Sequence, residues 1–249
     1  MRAPVARDDE IDLEVDSLAF GGNGVARLSG FVVFVRRGLP GDLVRARVTK
    51  VKRRFAEAEV IEVLRGGPDR VEPRCAHFGQ CGGCRFQDLA YEAQARAKED
   101  QVRDALTRLG GLEDPPVEPI VHAAERFGYR NKLEYSFTQT EDGPALGFHR
   151  ARRWDEILPV ETCHLATSLG NDVRRAVERW ARAAGLPAYD QRTHEGYLRH
   201  LVVREGRNTG QIMVLLVTAP GDLAATGELV GELRHLPEVR SIQWAVNDR

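Results

Sequence analysis

The chain has four cysteines, and three of them, Cys75, Cys81 and Cys84, stand within ten residues as C-x5-C-x2-C with Gly82 and Gly83 inside the tight pair. Adjacent glycines let a backbone curl until neighbouring sulfurs converge, and thiolates gathered in this way suit zinc or an iron-sulfur cluster. The fourth, Cys163, lies far along the chain, so a site shared by all four requires a fold that brings two distant segments together. Residues 1 to 16 mix acids with short hydrophobics and lack the basic start and apolar centre of a secretory signal. A cytoplasmic location is therefore expected, where disulfides are rare and clustered cysteines read as metal ligands.

Around this loop the sequence divides into three segments. Within residues 1–66, runs in strand rhythm (Ile11–Val15, Val25–Leu28, Phe31–Val35, Leu43–Val48, Ala58–Leu64) alternate with turns such as Gly21-Gly-Asn-Gly24 and Leu39-Pro-Gly-Asp42. Five strands in so short a length predict a small OB-like β-barrel. Residues 67–116 hold the cysteine loop and a helix, with Asp88 as its expected N-cap, apolar Ala95, Val102, Leu106 and Leu109, and Gly110-Gly111 at its end. Residues 117–249 carry paired strands over Tyr129–Thr138 and Ala145–His149. A helical stripe of Leu169, Val173, Val177, Trp180 and Ala184 follows, capped by Thr167 or Ser168. Strands at Leu198–Arg204 and Gln211–Thr218, a helix over Leu223–Leu233 and a strand at Val239–Val246 complete an expected α+β domain with a mainly antiparallel sheet. The longest apolar run, Ile212–Ala219, falls far short of the ~20 residues of a membrane span, so no membrane partner is expected.

Lys and Arg (36) balance Asp and Glu (37), so any attraction for a polyanion must be local. Residues 27–54 hold nine basic side chains against one acid, Asp42, whereas residues 1–26 hold six acids and two arginines. This asymmetry predicts a basic barrel face for RNA built from Arg36, Arg37, Arg45, Arg47, Lys50, Lys52, Arg53 and Arg54. Phe31, Phe34 and Phe55 lie among these charges, where rings either fill a barrel core or stack on unpaired bases. In the third segment, Arg130, Asn131 and Lys132, then His149 and Arg150, form smaller clusters suited to phosphates and sugar hydroxyls, or else an ordinary charged strand edge. His77 and His164, beside cysteines, are candidates either to donate to the sulfurs or to lie at the surface, and His200 reads as structural.

Residues 75 to 98, Cys-Ala-His-Phe-Gly-Gln-Cys-Gly-Gly-Cys-Arg-Phe-Gln-Asp-Leu-Ala-Tyr-Glu-Ala-Gln-Ala-Arg-Ala-Lys, resemble the signature of bacterial RNA uracil-5-methyltransferases that carry a 4Fe-4S cluster. Residues 10 to 64 resemble the TRAM domain that precedes the cluster in that family, through Gly21-Gly-Asn-Gly-Val25, Gly30-Phe-Val-Val-Phe-Val35 and Leu39-Pro-Gly-Asp42. Phe127-Gly-Tyr-Arg-Asn-Lys132, Leu146-Gly-Phe-His149, Cys163-His-Leu165 and Leu198-Arg-His-Leu-Val-Val-Arg204 extend the resemblance over nearly the whole chain. It implies that Cys75, Cys81, Cys84 and Cys163 ligate a 4Fe-4S cluster and that a monomer grips ribosomal or transfer RNA. In the complete enzyme it implies methyl transfer from S-adenosylmethionine to C5 of a uridine. Radical enzymes that cleave S-adenosylmethionine use tighter cysteine spacing and leave one iron without a protein ligand, unlike the pattern here.

The family's C-terminal Rossmann-like methyltransferase domain is expected to be absent. No glycine-rich turn joins a strand to a helix as a cofactor loop does, and no cysteine remains as a nucleophile once four are assigned to a cluster. Asp114-Pro-Pro116 superficially resembles a methyltransferase motif but sits in a linker. No catalytic or S-adenosylmethionine-binding residue is therefore assigned, and the chain alone is expected not to transfer methyl groups. The alternatives are a stand-alone RNA-binding module and a zinc-stapled adaptor.

Overall fold

The computed structural model describes residues 3–248 and divides into two units, Met1–Pro73 with Phe86–Ala123, and Arg74–Arg85 with Ala124–Arg249. In the first unit, β1 (Glu10–Leu18) turns Leu13 and Val15 inward while Asp12, Glu14 and Asp16 face water. The same period of two runs through β2 (Gly24–Leu28), β3 (Phe31–Arg36), β4 (Leu43–Val51) and the first half of β5 (Phe55–Arg65). The strands close a barrel in the order β1-β2-β3-β5-β4, as the strand rhythm predicts. β3 and β5 run parallel and all other neighbours antiparallel. Small residues fill the interior, among them Val15, Val33, Val35, Val44, Val48 and four alanines. At Gly24, a Cβ would sit 2.7 Å from the Gly38 carbonyl oxygen, so only glycine permits this close approach.

Asp42 closes the β3–β4 turn and is fully buried. Its carboxylate accepts from the Leu39 N–H at 2.7 Å, from the Gly67 N–H at 2.8 Å, and from Arg70 Nε and Nη2 at 3.0 and 2.8 Å. Arg70 also donates to Asp88 at 3.0 Å. Asp88 is thus not the N-cap of α1 (Tyr91–Asp104): the cap position is Ala90, and the Asp88 carboxylate is held by Arg70 instead. The helix continues through a π-helical turn at Ala105–Leu109. Its expected apolar stripe holds only at Ala95, which is buried, since Val102 and Leu109 are exposed. Ala93, outside that stripe, is buried as well and packs with Leu18, Leu39 and Leu89. Gln101 adds hydrogen bonds to the carbonyls of Leu18 and Ala19, both at 3.2 Å.

The second unit contains β6 (Lys132–Thr140), β7 (Gly143–His149), β8 (Ile157–Pro159), α2 (Ser168–Ala183), β9 (Leu198–Gly206), β10 (Gln211–Thr218), α3 (Thr226–Arg234) and β11 (Val239–Val246). They form a six-stranded sheet in the order β11-β10-β9-β6-β7-β8, antiparallel except for the β10–β11 pair. Leu133, Tyr135 and Phe137 of β6, Leu201 and Val203 of β9, and Ile212, Val214 and Leu216 of β10 form one core with Val173, Val177 and Trp180 of α2 and Leu229 and Leu233 of α3. Alternation places Lys132, Glu134, Ser136, Val202, Arg204 and Met213 on the other face. Thr167 caps α2, its hydroxyl accepting from the Gly170 N–H at 2.9 Å.

The division into units differs from the three consecutive segments expected. The helix stays with the barrel through Gln101 and the leucine cluster, whereas the cysteine loop belongs with the sheet, to which its backbone is hydrogen-bonded. Among the described residues no helix is long and apolar enough to cross a membrane.

Candidate cluster centre and nucleic-acid interface

The cysteine loop is held as an added edge on the segment after β7. Cys81 bridges Arg150 in antiparallel fashion, the Gly82 N–H donates to the His149 carbonyl at 3.0 Å, and the Ala151 N–H donates to the Gln80 carbonyl at 2.7 Å. A Cβ on Gly82 would come within 3.0 Å of the His149 oxygen, so the glycine lets the loop lie close to this strand. Arg150 reinforces the pairing, donating to Gln80 Oε1 at 2.8 Å and to Glu156 at 2.6 Å. His77 Nε2 accepts from the Glu161 N–H at 3.2 Å, which anchors the loop two residues before Cys163.

Cys163 is fixed through its own backbone. Asn171, buried in the first turn of α2, accepts from the Cys163 N–H at 2.9 Å and donates to the Cys163 carbonyl at 3.0 Å. All four cysteines are half-buried and none is in a disulfide. Burial pushes the Cys81 thiol up, the Gly83 N–H bonded to Sγ at 3.4 Å pulls against it, and the charges of Cys84, Cys163 and Cys75 push it up further. Among the described residues no group of three or more His, Cys, Asp or Glu side chains is set to hold a metal ion. A zinc ion, with Zn–S bonds of ~2.3 Å, draws its sulfurs to within about 4 Å of one another. Four thiols without a carboxylate are donors that zinc and an iron-sulfur core accept equally.

The basic strands of the barrel look different once the strands are paired. β1 lies against β4, which sets Glu10 opposite Arg47 and Asp12 opposite Arg45. Arg47 donates to Glu10 at 2.7 Å, Arg45 to Asp12 at 2.9 Å, Lys50 lies 3.2 Å from Glu57 and Arg36 lies 3.7 Å from Glu59. The acidic and basic stretches of the sequence thus neutralise each other across the ladder instead of forming opposite sides. Lys52, Arg53 and Arg54, at the exposed β4–β5 turn, and the exposed Arg37 form no ion pair among the described residues. Phe31 packs on the barrel core, whereas Phe34 and Phe55 form a half-buried edge-to-face pair, ring centroids 5.4 Å apart, next to that turn.

In the second unit, the backbone of Arg130 binds the Leu165 carbonyl, and Asn131 and Lys132 are exposed at the start of β6. His149 is half-buried, with Nδ1 shielded and unpartnered. His164 meets Phe127 edge-on at 6.3 Å, and burial together with Arg74 and His77 holds its pKa below the usual value. Sequence reasoning missed Asn171, for which an asparagine four residues after a helix cap was a signal.

Residues 6–61 match the TRAM domain. Over 249 residues the chain is 36% identical to an uncharacterized RNA methyltransferase of Halalkalibacterium halodurans, an alignment that covers 100% of this chain and 54% of that protein. It is 44% identical over 211 residues to an uncharacterized RNA methyltransferase of Nitratidesulfovibrio vulgaris, covering 84% and 45% respectively. In structure it is similar to the Pyrococcus abyssi tRNA (uracil-54, C5)-methyltransferase crystallised with S-adenosyl-L-homocysteine, with a TM-score of 0.71, 26% identity, and coverage of 96% of this chain and 52% of that one. The chain thus matches a TRAM domain near its start and is similar along most or all of its length to RNA methyltransferases, spanning about half the length of the curated relatives it matches.

Proposed function

We propose that this chain is the RNA-recognition and iron-sulfur portion of an RNA uracil-5-methyltransferase, which in its complete form moves a methyl group from S-adenosylmethionine to C5 of a uridine in ribosomal or transfer RNA. The observation that carries this reading is the similarity to RNA methyltransferases over all 249 residues, joined to a fold shared with a tRNA uracil-C5 methyltransferase. On the barrel, Lys52, Arg53 and Arg54 supply uncompensated charge for phosphates, and the Phe34–Phe55 pair offers a ring surface for an unpaired base. In the second unit, Asn131 and Lys132 contribute a second set of polar contacts.

Cys75, Cys81, Cys84 and Cys163 would hold the 4Fe-4S cluster. With four thiolate ligands such a cluster offers no open coordination position and supplies a structural cross-link. The residues around it serve that end: Asn171 fixes the Cys163 backbone, Arg150 and His77 brace the loop, and the Gly83 N–H stabilises charge on the Cys81 sulfur.

Filter retention of transfer RNA, ribosomal RNA fragments and duplex DNA of equal length by the anaerobically purified chain tests the reading. RNA should be retained in preference to DNA, with an affinity that falls steeply with salt. Equal or absent retention of RNA would overturn it.

A further inference from the structure

At one end of the sheet in the second unit, where β6, β10 and β11 begin and β9 finishes, lies a groove of ≈ 580 Å³. Lys132, Arg204 and Arg240 line it with neutral partners that include Asn131, Thr209 and Gln211. Lys132 and Arg204 stand directly opposite each other in the β6–β9 register. Like charges so placed on neighbouring strands repel, and a sheet normally avoids or neutralises them. Lys132 has Glu134 at 3.5 Å, but Arg204 and Arg240 form no ion pair among the described residues. Glu205 also lines the groove and keeps its charge; its carboxylate accepts from the Thr167 hydroxyl at 2.8 and 2.9 Å and forms no ion pair with Arg204 or Arg240 among the described residues.

Three cationic groups against the single lining carboxylate of Glu205, two of them exposed guanidinium groups without an ion-pair partner, with neutral amide and hydroxyl groups between them, make a receptor for an anion. The groove is open along the sheet end, which suits a chain of phosphodiesters passing through more than a single enclosed ion. We propose that this groove holds the RNA backbone, with Arg204 and Arg240 contacting successive phosphates. The proposal rests on the RNA-binding reading above and deepens it, extending the contacts of Asn131 and Lys132 to Arg204 and Arg240. An anion bound there also relieves the opposed Lys132 and Arg204 charges, so binding and fold stability are linked at this point.

The test compares RNA affinity against salt for the unaltered chain, for Arg204→Gln with Arg240→Gln, and for a control of equal charge loss, Arg7→Gln with Arg234→Gln. The groove variant should bind about tenfold more weakly, with a salt slope shallower by about 1 to 2, and the control should stay within about twofold. Arg204→Lys with Arg240→Lys should keep the slope. The Tm of Arg204→Gln should be unchanged or higher, because a repulsion is removed. Unaltered chain that fails to retain RNA overturns the RNA-binding reading and this proposal with it. RNA retention by the unaltered chain with the groove variant equal to the control overturns the groove alone, as does a loss of affinity matched by a fall in Tm of several degrees.

Discussion

The Asn171 side chain brackets Cys163, its carbonyl oxygen 2.9 Å from the Cys163 nitrogen and its amide nitrogen 3.0 Å from the Cys163 oxygen. The same amide also donates to the Thr167 carbonyl at 2.9 Å, so one buried side chain ties the cysteine to the first turn of α2. Asn171→Ala leaves these partners without their bonds and should destabilise the second unit by about 1–3 kcal/mol. Under the proposed function it should also lower the iron bound per chain, because Cys163 is no longer held in place. Thermal unfolding and iron determination check both. Full stability with full iron would show that the bracket has no role.

Asp42 and Arg70 make the corresponding cross-tie in the first unit, at 2.8 Å with the carboxylate fully buried. Asp42→Ala leaves the guanidinium and two backbone N–H groups without their acceptor. A loss of about 3–5 kcal/mol in urea unfolding is expected, larger than for any exposed pair on the barrel. A loss below about 1 kcal/mol would mean that water replaces the carboxylate without penalty.

The pairing of β1 with β4 separates the barrel arginines into two sets with different expected behaviour. Lys52→Gln, Arg53→Gln and Arg54→Gln together should weaken RNA binding and flatten its salt dependence by about 2 units, given ~0.7 per phosphate contact on single strands. Arg45→Gln with Arg47→Gln should change the slope by less than half as much, because their charges already face Asp12 and Glu10. Equal effects from the two sets would show that the ion pairs open on binding.

His200 is half-buried on β9, with Nδ1 3.2 Å from the Ser136 hydroxyl. Burial holds its pKa below the usual 6.5, nearby Arg199 and His149 push in the same direction, and Glu134 opposes them. The folded state therefore takes up its proton later than the unfolded chain as pH falls. The stabilisation is complete above about pH 6.5 and is lost as pH drops from there through the folded value. Urea unfolding between about pH 8 and pH 5 should show this loss, and His200→Asn should make that part of the profile shallower. An unchanged profile would assign the acid sensitivity to other groups.

The barrel and the α2 helix were legible because their signals are local: inward valines alternate along β3 and β4, and Thr167 stands just ahead of an apolar stripe ending at Trp180. β8 was not, since three residues are too few to show a period. The reading of α1 held at Ala95 but failed at Val102 and Leu109, which look like core in sequence while the contact is made by alanines. Asp42 reads as an ordinary turn residue, and its burial depends on Arg70, which is brought there only by the fold. The cysteine spacing marked the candidate centre, but Asn171, Arg150 and the neutralisation of Arg45 and Arg47 all depend on which strand lies beside which.

The central proposal is that Cys75, Cys81, Cys84 and Cys163 would close around one 4Fe-4S core. Iron, zinc and acid-labile sulfide measured on the anaerobically purified chain test it most directly, beside a Cys163→Ser variant. Close to four irons and four sulfides per chain are expected, falling sharply in the variant. One zinc without sulfide, or an iron and sulfide content that Cys163→Ser leaves unchanged, would contradict it.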